Sequence, residues 1–355
     1  MHLSVFFGLV GAALAQSVAE ATESPVVGEQ STFVTSRIPT AIPLGATFTR
    51  SMPSMPTPSG PPVRYWFSFG DSYTSTNFSV NGVQPSVEKP FGNPLDIWHK
   101  EKYNATWIQY ITSRFNESIT LNYNLARIGA SLTYTNENTT SRRSFKGQVN
   151  LFTSKYASLP AEKKIWQQNV DTMYSSWFGV NDVKGIFGSG GNSTDPRIDE
   201  LITSQFSLLD QLYFDVDAKV FLVINLPPLE TAPLFAADKT RMEGIVRSWN
   251  NNLARQVRQF RDSHPVSSIL LIDSYNIIKK LEETPSYGVR NGVWADKLHI
   301  KTQVHKVLAK EIAAVLDQSV LEAPTNGTIG GPTTFVDQPT PTMGHGGSAT
   351  SGTLW

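Results

Sequence analysis

Asp296 and His299 lie three residues apart in Trp294-Ala295-Asp296-Lys297-Leu298-His299. That spacing lets a carboxylate orient an imidazole on one turn while the second ring nitrogen stays free to take a proton. Such a base needs a nucleophile, and the 355 residues contain no cysteine, so a thiolate is excluded. Ser72 offers the alternative, in Phe67-Ser68-Phe69-Gly70-Asp71-Ser72-Tyr73-Thr74, where an aromatic run breaks at a glycine and exposes one serine. Two readings of Ser72 stand at this point: a helix N-cap, or a nucleophile just past a strand. The other histidines narrow the choice of base. His2 and His345 lie near the termini and His264 precedes Pro265, while His99 and His305 stay open. Of the six, His299 alone has a close acidic partner in a segment that reads as a loop before the last helix.

Acyl transfer also needs hydrogen-bond donors for a developing oxyanion. Asn181, in Trp177-Phe178-Gly179-Val180-Asn181-Asp182, and Gly129, in Asn124-Leu125-Ala126-Arg127-Ile128-Gly129-Ala130, both follow strand-like runs. An asparagine there is either a turn residue or a side-chain donor, and a glycine offers an unhindered N–H. Asp71 and Asp182 read as hydrogen-bonding supports for their turns. Tyr73, Phe78, Phe91, Trp98 and Trp294 flank these motifs, where aromatic faces suit sugar rings, acyl chains or ordinary core packing.

These residues need a frame. Short apolar runs alternate with longer amphipathic segments, which predicts one α/β domain with a mainly parallel sheet. The expected strands are Val63 to Phe69, Leu121 to Ala126, Thr172 to Phe178, Val220 to Asn225 and Ile269 to Asp273. The expected helices include Trp107 to Phe115, Arg197 to Phe214, Lys239 to Asp262 and Thr302 to Leu316; the last carries an apolar stripe at Val304, Val307, Leu308, Ile312 and Val315. Ser72 and Asn181 then fall beyond the carboxyl ends of strands, where an open α/β sheet forms its binding crevice.

Composition bounds the partners. Lys+Arg and Asp+Glu are 30 each, with no basic cluster, so nucleic acid is not expected. Without cysteine there is no disulfide framework and no cysteine-based zinc site; neither a metal nor a cofactor is expected. The run Val5 to Leu14, ending in Ala13-Leu14-Ala15, reads as a secretory signal peptide over residues 1–15, although its first residues include no Lys or Arg. Residues 16–62 read as a disordered Ser/Thr/Pro-rich leader, 63–320 as the folded domain and 321–355 as a disordered tail without a lipid-anchor stretch. No later apolar run reaches the length of a membrane span. Six Asn-x-Ser/Thr sequons, at Asn77, Asn104, Asn116, Asn138, Asn192 and Asn326, fit a secreted, extracellular glycoprotein. A monomer is expected.

The set Gly70-Asp71-Ser72, Gly129, Gly179-x-Asn181-Asp182 and Asp296-x-x-His299, in that order between Arg64 and Leu316, resembles the GDSL, or SGNH, hydrolase family. The chain has no Gly-x-Ser-x-Gly elbow, which disfavours the ordinary α/β-hydrolase arrangement. The resemblance implies a flavodoxin-like three-layer sandwich with five parallel strands in order 2-1-3-4-5. It also implies Ser72 as nucleophile, His299 as base and Asp296 as its orienter, with an oxyanion hole from the Ser72 N–H, the Gly129 N–H and the Asn181 side chain. Two positions depart from the family: Ile128 stands where relatives often carry a glycine, and Ile300 where proline is common. Phe69 to Thr74, Gly92-Asn93-Pro94, Asn124-Leu125-Ala126 and Trp294-Ala295-Asp296 are most similar to secreted fungal acetylesterases of carbohydrate esterase family sixteen. That likeness implies removal of acetyl groups from plant cell-wall sugars such as acetylated xylo-oligosaccharides. A lipase or phospholipase of the same family is the alternative. A third reading, a catalytically idle carbohydrate-binding protein, is disfavoured by the intact Ser72, Asp296 and His299.

Overall fold

A computed structural model describes residues 63–94, 105–116, 118–133, 142–160, 163–166, 172–285 and 292–321. The expected signal peptide and leader, most of the tail, Trp98, His99 and the sequons at Asn104, Asn138 and Asn326 lie outside the described residues.

Five strands, β1 (Val63–Gly70), β2 (Ile119–Asn124), β3 (Thr172–Trp177), β4 (Val220–Ile224) and β5 (Ser268–Ile272), form one sheet in the order β2-β1-β3-β4-β5. Every pairing is parallel. This is the predicted order. The central strand β1 is buried from Trp66 through Gly70, as a parallel sheet covered on both faces requires. Successive side chains of a strand point to opposite faces. Trp66 meets Trp107 of helix α1 (Trp107–Ser113) edge-on at 5.9 Å. Its neighbour Phe67 meets Phe152 of α2 (Phe145–Phe152) at 4.6 Å. The two helices therefore cover opposite faces, and the protein is a three-layer α/β sandwich.

The remaining α-helices among the described residues are α3 (Val180–Gly188), α4 (Arg197–Val216), α5 (Lys239–Ser263), α6 (Ser274–Glu283) and α7 (Thr302–Leu321). Helix α7 packs on α1 and α6, while α4 packs on α2 and α5. Helix α5 buries Met242, Ile245, Val246, Trp249, Leu253, Val257 and Phe260, a stripe with helical spacing. On α7 the predicted stripe is buried at Val304, Leu308 and Ile312 and half-buried at Val307 and Val315.

Strand boundaries differ from expectation where polar residues take over. Asp273, expected in β5, is the N-cap of α6, its carboxylate accepting the Asn276 N–H at 3.1 Å. The expected extension of β2 through Ala126 ends at Asn124, whose side chain accepts the Ala126 N–H at 3.1 Å and donates to the Thr74 carbonyl at 2.8 Å.

Candidate active site

β1 and β3 end level, with Gly70 opposite Trp177, and β2 ends two residues earlier with Asn124 opposite Ser68. The loops that follow these strands meet above the sheet. Gly70 closes β1 at φ +157°, and a Cβ there would stand 2.8 Å from the Trp177 carbonyl. The buried Gln148 side chain continues the ladder that β1 loses at this point: it accepts the Gly70 N–H at 2.9 Å and donates to the Gly70 carbonyl at 2.8 Å. Asp71 folds the next turn. Its carbonyl accepts from Thr74 and Ser75, and its Oδ1 accepts the Tyr73 N–H at 2.9 Å. Ser72 sits half-buried in this turn and is not a helix cap.

His299 stands in line with Ser72 and Asp296. Its Nε2 is 2.9 Å from Ser72 Oγ and its Nδ1 is 2.8 Å from Asp296 Oδ2. Burial pushes the Asp296 carboxyl up, but the N–H groups of His299 and Leu298 and the His299 ring outweigh it and hold the pKa at about 2. An ionised carboxylate accepts hydrogen bonds only, so Nδ1 carries the proton and Nε2 accepts from the Ser72 hydroxyl. Asp296 Oδ1 also accepts the N–H of Leu298 and of His299, both at 2.7 Å, which closes the Asp296-x-x-His299 turn.

Asn181 lies on the first turn of α3, after Gly179 at φ +116°, where a Cβ would meet the Trp249 ring at 2.7 Å. Its Nδ2 donates to the Ala130 carbonyl at 2.8 Å and approaches Asp71 Oδ2 at 3.3 Å, while its Oδ1 accepts from Lys184 at 3.3 Å. Two acceptors on one side and an ammonium on the other fix the orientation of the amide. Asp182 Oδ1 accepts the Leu132 N–H at 2.9 Å, and so supports the loop after β2 rather than its own turn alone. Burial pushes both Asp71 and Asp182 up to about 7.

Gly129 occupies a four-residue turn closed by the Ala130 N–H on the Arg127 carbonyl at 3.0 Å, and its φ of +77° is the value a type II turn demands. A Cβ there would touch nothing, so the glycine serves backbone conformation alone. Among the described residues, neither the Gly129 N–H nor the Ser72 N–H has a hydrogen-bond acceptor.

The structure thus brings Ser72, His299 and Asp296 together in series, and links Asn181 to the same turn through Asp71. His305 is elsewhere: it is buried edge-on to Tyr73 and Trp177, and burial, with His299 nearby, lowers its pKa to about 3. Tyr73, Phe78 and Phe91 are buried core residues, and Trp294 is half-buried. Sequence reasoning missed Gln148 and Arg142. The Arg142 guanidinium donates to the carbonyls of Phe78, Asn124, Leu125 and Ala126 at 2.6–3.2 Å and so clamps the chain leading to Gly129. Neither residue stands at a spacing that announces its partner.

A serine, an imidazole and a carboxylate in series above the carboxyl ends of a parallel sheet have the geometry that serine hydrolysis requires. The chain belongs to the GDSL-like lipase/acylhydrolase family, whose model matches residues 67–312, and is a carboxylic ester hydrolase. It is similar to an acetylesterase from Thermothelomyces thermophilus, 26% identical over 71% of this chain and 87% of that protein. Solved structures similar to it include a carbohydrate acetylesterase from Sinorhizobium meliloti, 15% identical with a TM-score of 0.40 over 72% of this chain and 99% of that one. An acetylxylan esterase from Geobacillus stearothermophilus is 12% identical with a TM-score of 0.43 over 71% of this chain and 93% of that one. No helix among the described residues is long and apolar enough to cross a membrane.

Proposed function

We propose that the protein is a secreted serine esterase that removes acetyl groups from acetylated plant cell-wall carbohydrates of the xylo-oligosaccharide type. The observation that carries the mechanism is the continuous hydrogen-bonded line from Ser72 Oγ through His299 to Asp296, at 2.9 and 2.8 Å. Ser72 attacks the acetyl carbonyl while His299 Nε2 takes its proton, and the ionised Asp296 stabilises the imidazolium that forms. His299 then returns the proton to the departing sugar oxygen, leaving an acetyl-enzyme. Water, deprotonated by His299, attacks that ester, and acetate leaves as Ser72 regains its proton.

The oxyanion formed in each half-reaction takes the Ser72 and Gly129 N–H groups and one Asn181 amide hydrogen. Asn181 spends one hydrogen on Ala130 at 2.8 Å and holds the other against Asp71 at 3.3 Å, so the second is the one released to the oxyanion. The acetyl preference rests on the acetylesterase relative. Secretion rests on the signal-peptide pattern of residues 1–15 and on the sequons. We further propose that the catalytic unit is residues 63–320 and acts as a monomer.

The test is the initial rate on p-nitrophenyl acetate, butyrate, octanoate and palmitate, with Ser72→Ala purified alongside. The expected result is the highest rate on acetate, a fall with chain length and no turnover by the variant. Preference for the long chains would instead make the protein a lipase of the same family. An active Ser72→Ala would remove the serine mechanism.

A further inference from the structure

The loop that carries Asp296 and His299 is exposed only at its tip, residues 295–297, and its internal bonds fix its shape but not its place. Ala295 donates to the His299 carbonyl at 2.7 Å and Lys301 to the Val293 carbonyl at 2.8 Å, so the loop closes on itself like a small hairpin. Asp296 Oδ1 then holds the Leu298 and His299 N–H groups at 2.7 Å each. None of these bonds determines where the imidazole stands relative to Ser72, a residue 227 positions away in the chain. That relation depends on bonds reaching the loop from outside. Leu234 donates its N–H to the Lys297 carbonyl at 2.8 Å, and Thr231 accepts the Trp294 indole N–H at 3.1 Å. The strongest of them comes from the residue next to the nucleophile: Tyr73 donates its hydroxyl to the Leu298 carbonyl at 2.6 Å.

Tyr73 is well placed to hold this distance. Its ring is fully buried, packs edge-on against Trp177 at 5.1 Å and against His305 at 5.9 Å, and lies 5.8 Å from the His299 ring. Its own N–H is fixed by Asp71 Oδ1 at 2.9 Å, so the side chain starts from the same turn that presents Ser72. Burial, together with Asp71 and Asp296, raises the phenol well above its ordinary pKa, so it remains a donor throughout the working range of an esterase. The Leu298–His299 peptide is therefore gripped on both sides, its N–H by Asp296 and its carbonyl by Tyr73.

We infer that Tyr73 is a positioning residue that ties the nucleophile turn to the loop carrying the catalytic base and so sets the Ser72–His299 separation. The inference rests on the serine mechanism proposed above. Displacement of a reacting group by about 1 Å costs on the order of 10²-fold in rate. Removing one hydroxyl from a buried ring releases the Leu298 end of the loop, leaves the Leu234 and Thr231 anchors in place, and keeps the packing.

The test compares Tyr73→Phe with the parent, with Ser72→Ala and with Ser175→Ala. The last deletes the acceptor of the buried Trp66 indole bond at 2.8 Å and so weakens the core on β3 away from the loops. The expected result for Tyr73→Phe is a fall in kcat of about 10- to 100-fold with KM within about threefold of the parent. The rate of covalent inactivation by paraoxon, which also needs His299 to activate Ser72, should fall by the same factor. Ser175→Ala should lower Tm at least as much while leaving kcat within about twofold. If Tyr73→Phe does not fold, p-fluorophenylalanine incorporated at position 73, nearly isosteric with tyrosine and without the donor hydrogen, carries the same comparison. A Tyr73→Phe enzyme with parental kcat and paraoxon reactivity, alongside an inactive Ser72→Ala, overturns the inference about Tyr73 alone. An active Ser72→Ala overturns the serine mechanism itself, and with it the basis for the role of Tyr73.

Discussion

Replacing Asn181 by aspartate changes one atom and should produce a defect whose size depends on pH. In the native protein the amide nitrogen lies 3.3 Å from Asp71 Oδ2. An aspartate at 181 puts a second oxygen there, and two ionised carboxylates at that distance repel by about 5 kcal/mol at an effective dielectric of about 20. The buried Asp71 already has its pKa raised to about 7, so the folded variant retains protons on the pair that the unfolded chain releases near pH 4. A folded-state pKa above the unfolded value contributes stability that is full below the unfolded pKa and lost as pH rises through the folded one. The parent carries this dependence through Asp71 and Asp182, so the relevant quantity is the difference in Tm between variant and parent at each pH. At pH 4.5 only an altered hydrogen bond distinguishes them, worth about 1 kcal/mol, or a few degrees. At pH 8.5 the pair escapes the full repulsion by keeping one proton, which with Asp71 at about 7 costs about 2 kcal/mol more than in the parent, so the difference should grow to roughly 6–12 °C. Asn181→Ala, which removes the amide without adding charge, should show a smaller difference that does not change with pH. Both variants should lose 10²- to 10³-fold in kcat at pH 7.5 if Asn181 serves the oxyanion. Thermal melts across this range decide the matter. An Asn181→Asp deficit that stays flat with pH and equals that of Asn181→Ala would mean Asp71 and residue 181 do not face each other.

Asp296→Asn keeps an acceptor for the Leu298 and His299 N–H groups but lets the amide present hydrogens to Nδ1, which favours the wrong tautomer for accepting from Ser72. Its kcat on p-nitrophenyl acetate should fall by about 10⁴-fold, by analogy with the serine-protease template, and a loss under tenfold would end the orienting role of Asp296. For the sequons, expression in a eukaryotic secretory host followed by glycopeptide mass spectrometry should find Asn192 occupied and Asn116 largely bare. Asn192 is exposed with its amide nitrogen unengaged, whereas Asn116 Nδ2 is bonded to the Thr112 carbonyl at 2.8 Å and the Ser118 hydroxyl is buried. Occupancy in the reverse order would refute that ranking.

The sheet was legible because its strands are short runs rich in apolar and aromatic residues, unbroken in β4 and interrupted only by small polar residues or one arginine in β1 and β3. The layer built on them was less so. Helix α3 was hidden because Val180–Gly188 is short and contains two glycines. Helix α2 passes directly into a single π turn over Thr153–Ala157, which shifts its apolar spacing away from the regular helical repeat. At the site, Asp296 and His299 could be paired from spacing alone because they share a turn. Ser72 could be added only through the rule that places crevices at strand ends, since 227 residues separate it from His299. Asp71 was expected to support its own turn, and it does, but its second oxygen faces Asn181, 110 residues away. Gln148 and Arg142 left no trace in the sequence because their partners are backbone groups, which any residue supplies.

The supports share one construction, and it explains how the proposed reacting groups, on turns at the surface, would be held to the accuracy an acyl transfer needs. Asp296 and Gly129 are exposed, and His299 and Ser72 are half-buried. Each of their turns is bound by a buried or, for Arg142, half-buried polar side chain that comes from outside it or lies at its base. Gln148 brackets Gly70, Asp182 holds Leu132, Arg142 clamps residues 124–126, and Tyr73 holds Leu298. A turn carried only by its own bonds keeps its shape yet drifts relative to its neighbours. A bond from a buried side chain stops that drift, because the donor is itself fixed by close packing. Substitutions among these supports should therefore separate into two kinds. Loss of Gln148 or Arg142 leaves buried backbone groups unpaired and acts first on stability. Loss of the Tyr73 hydroxyl frees one carbonyl on the half-buried part of the loop that carries His299 and acts first on turnover.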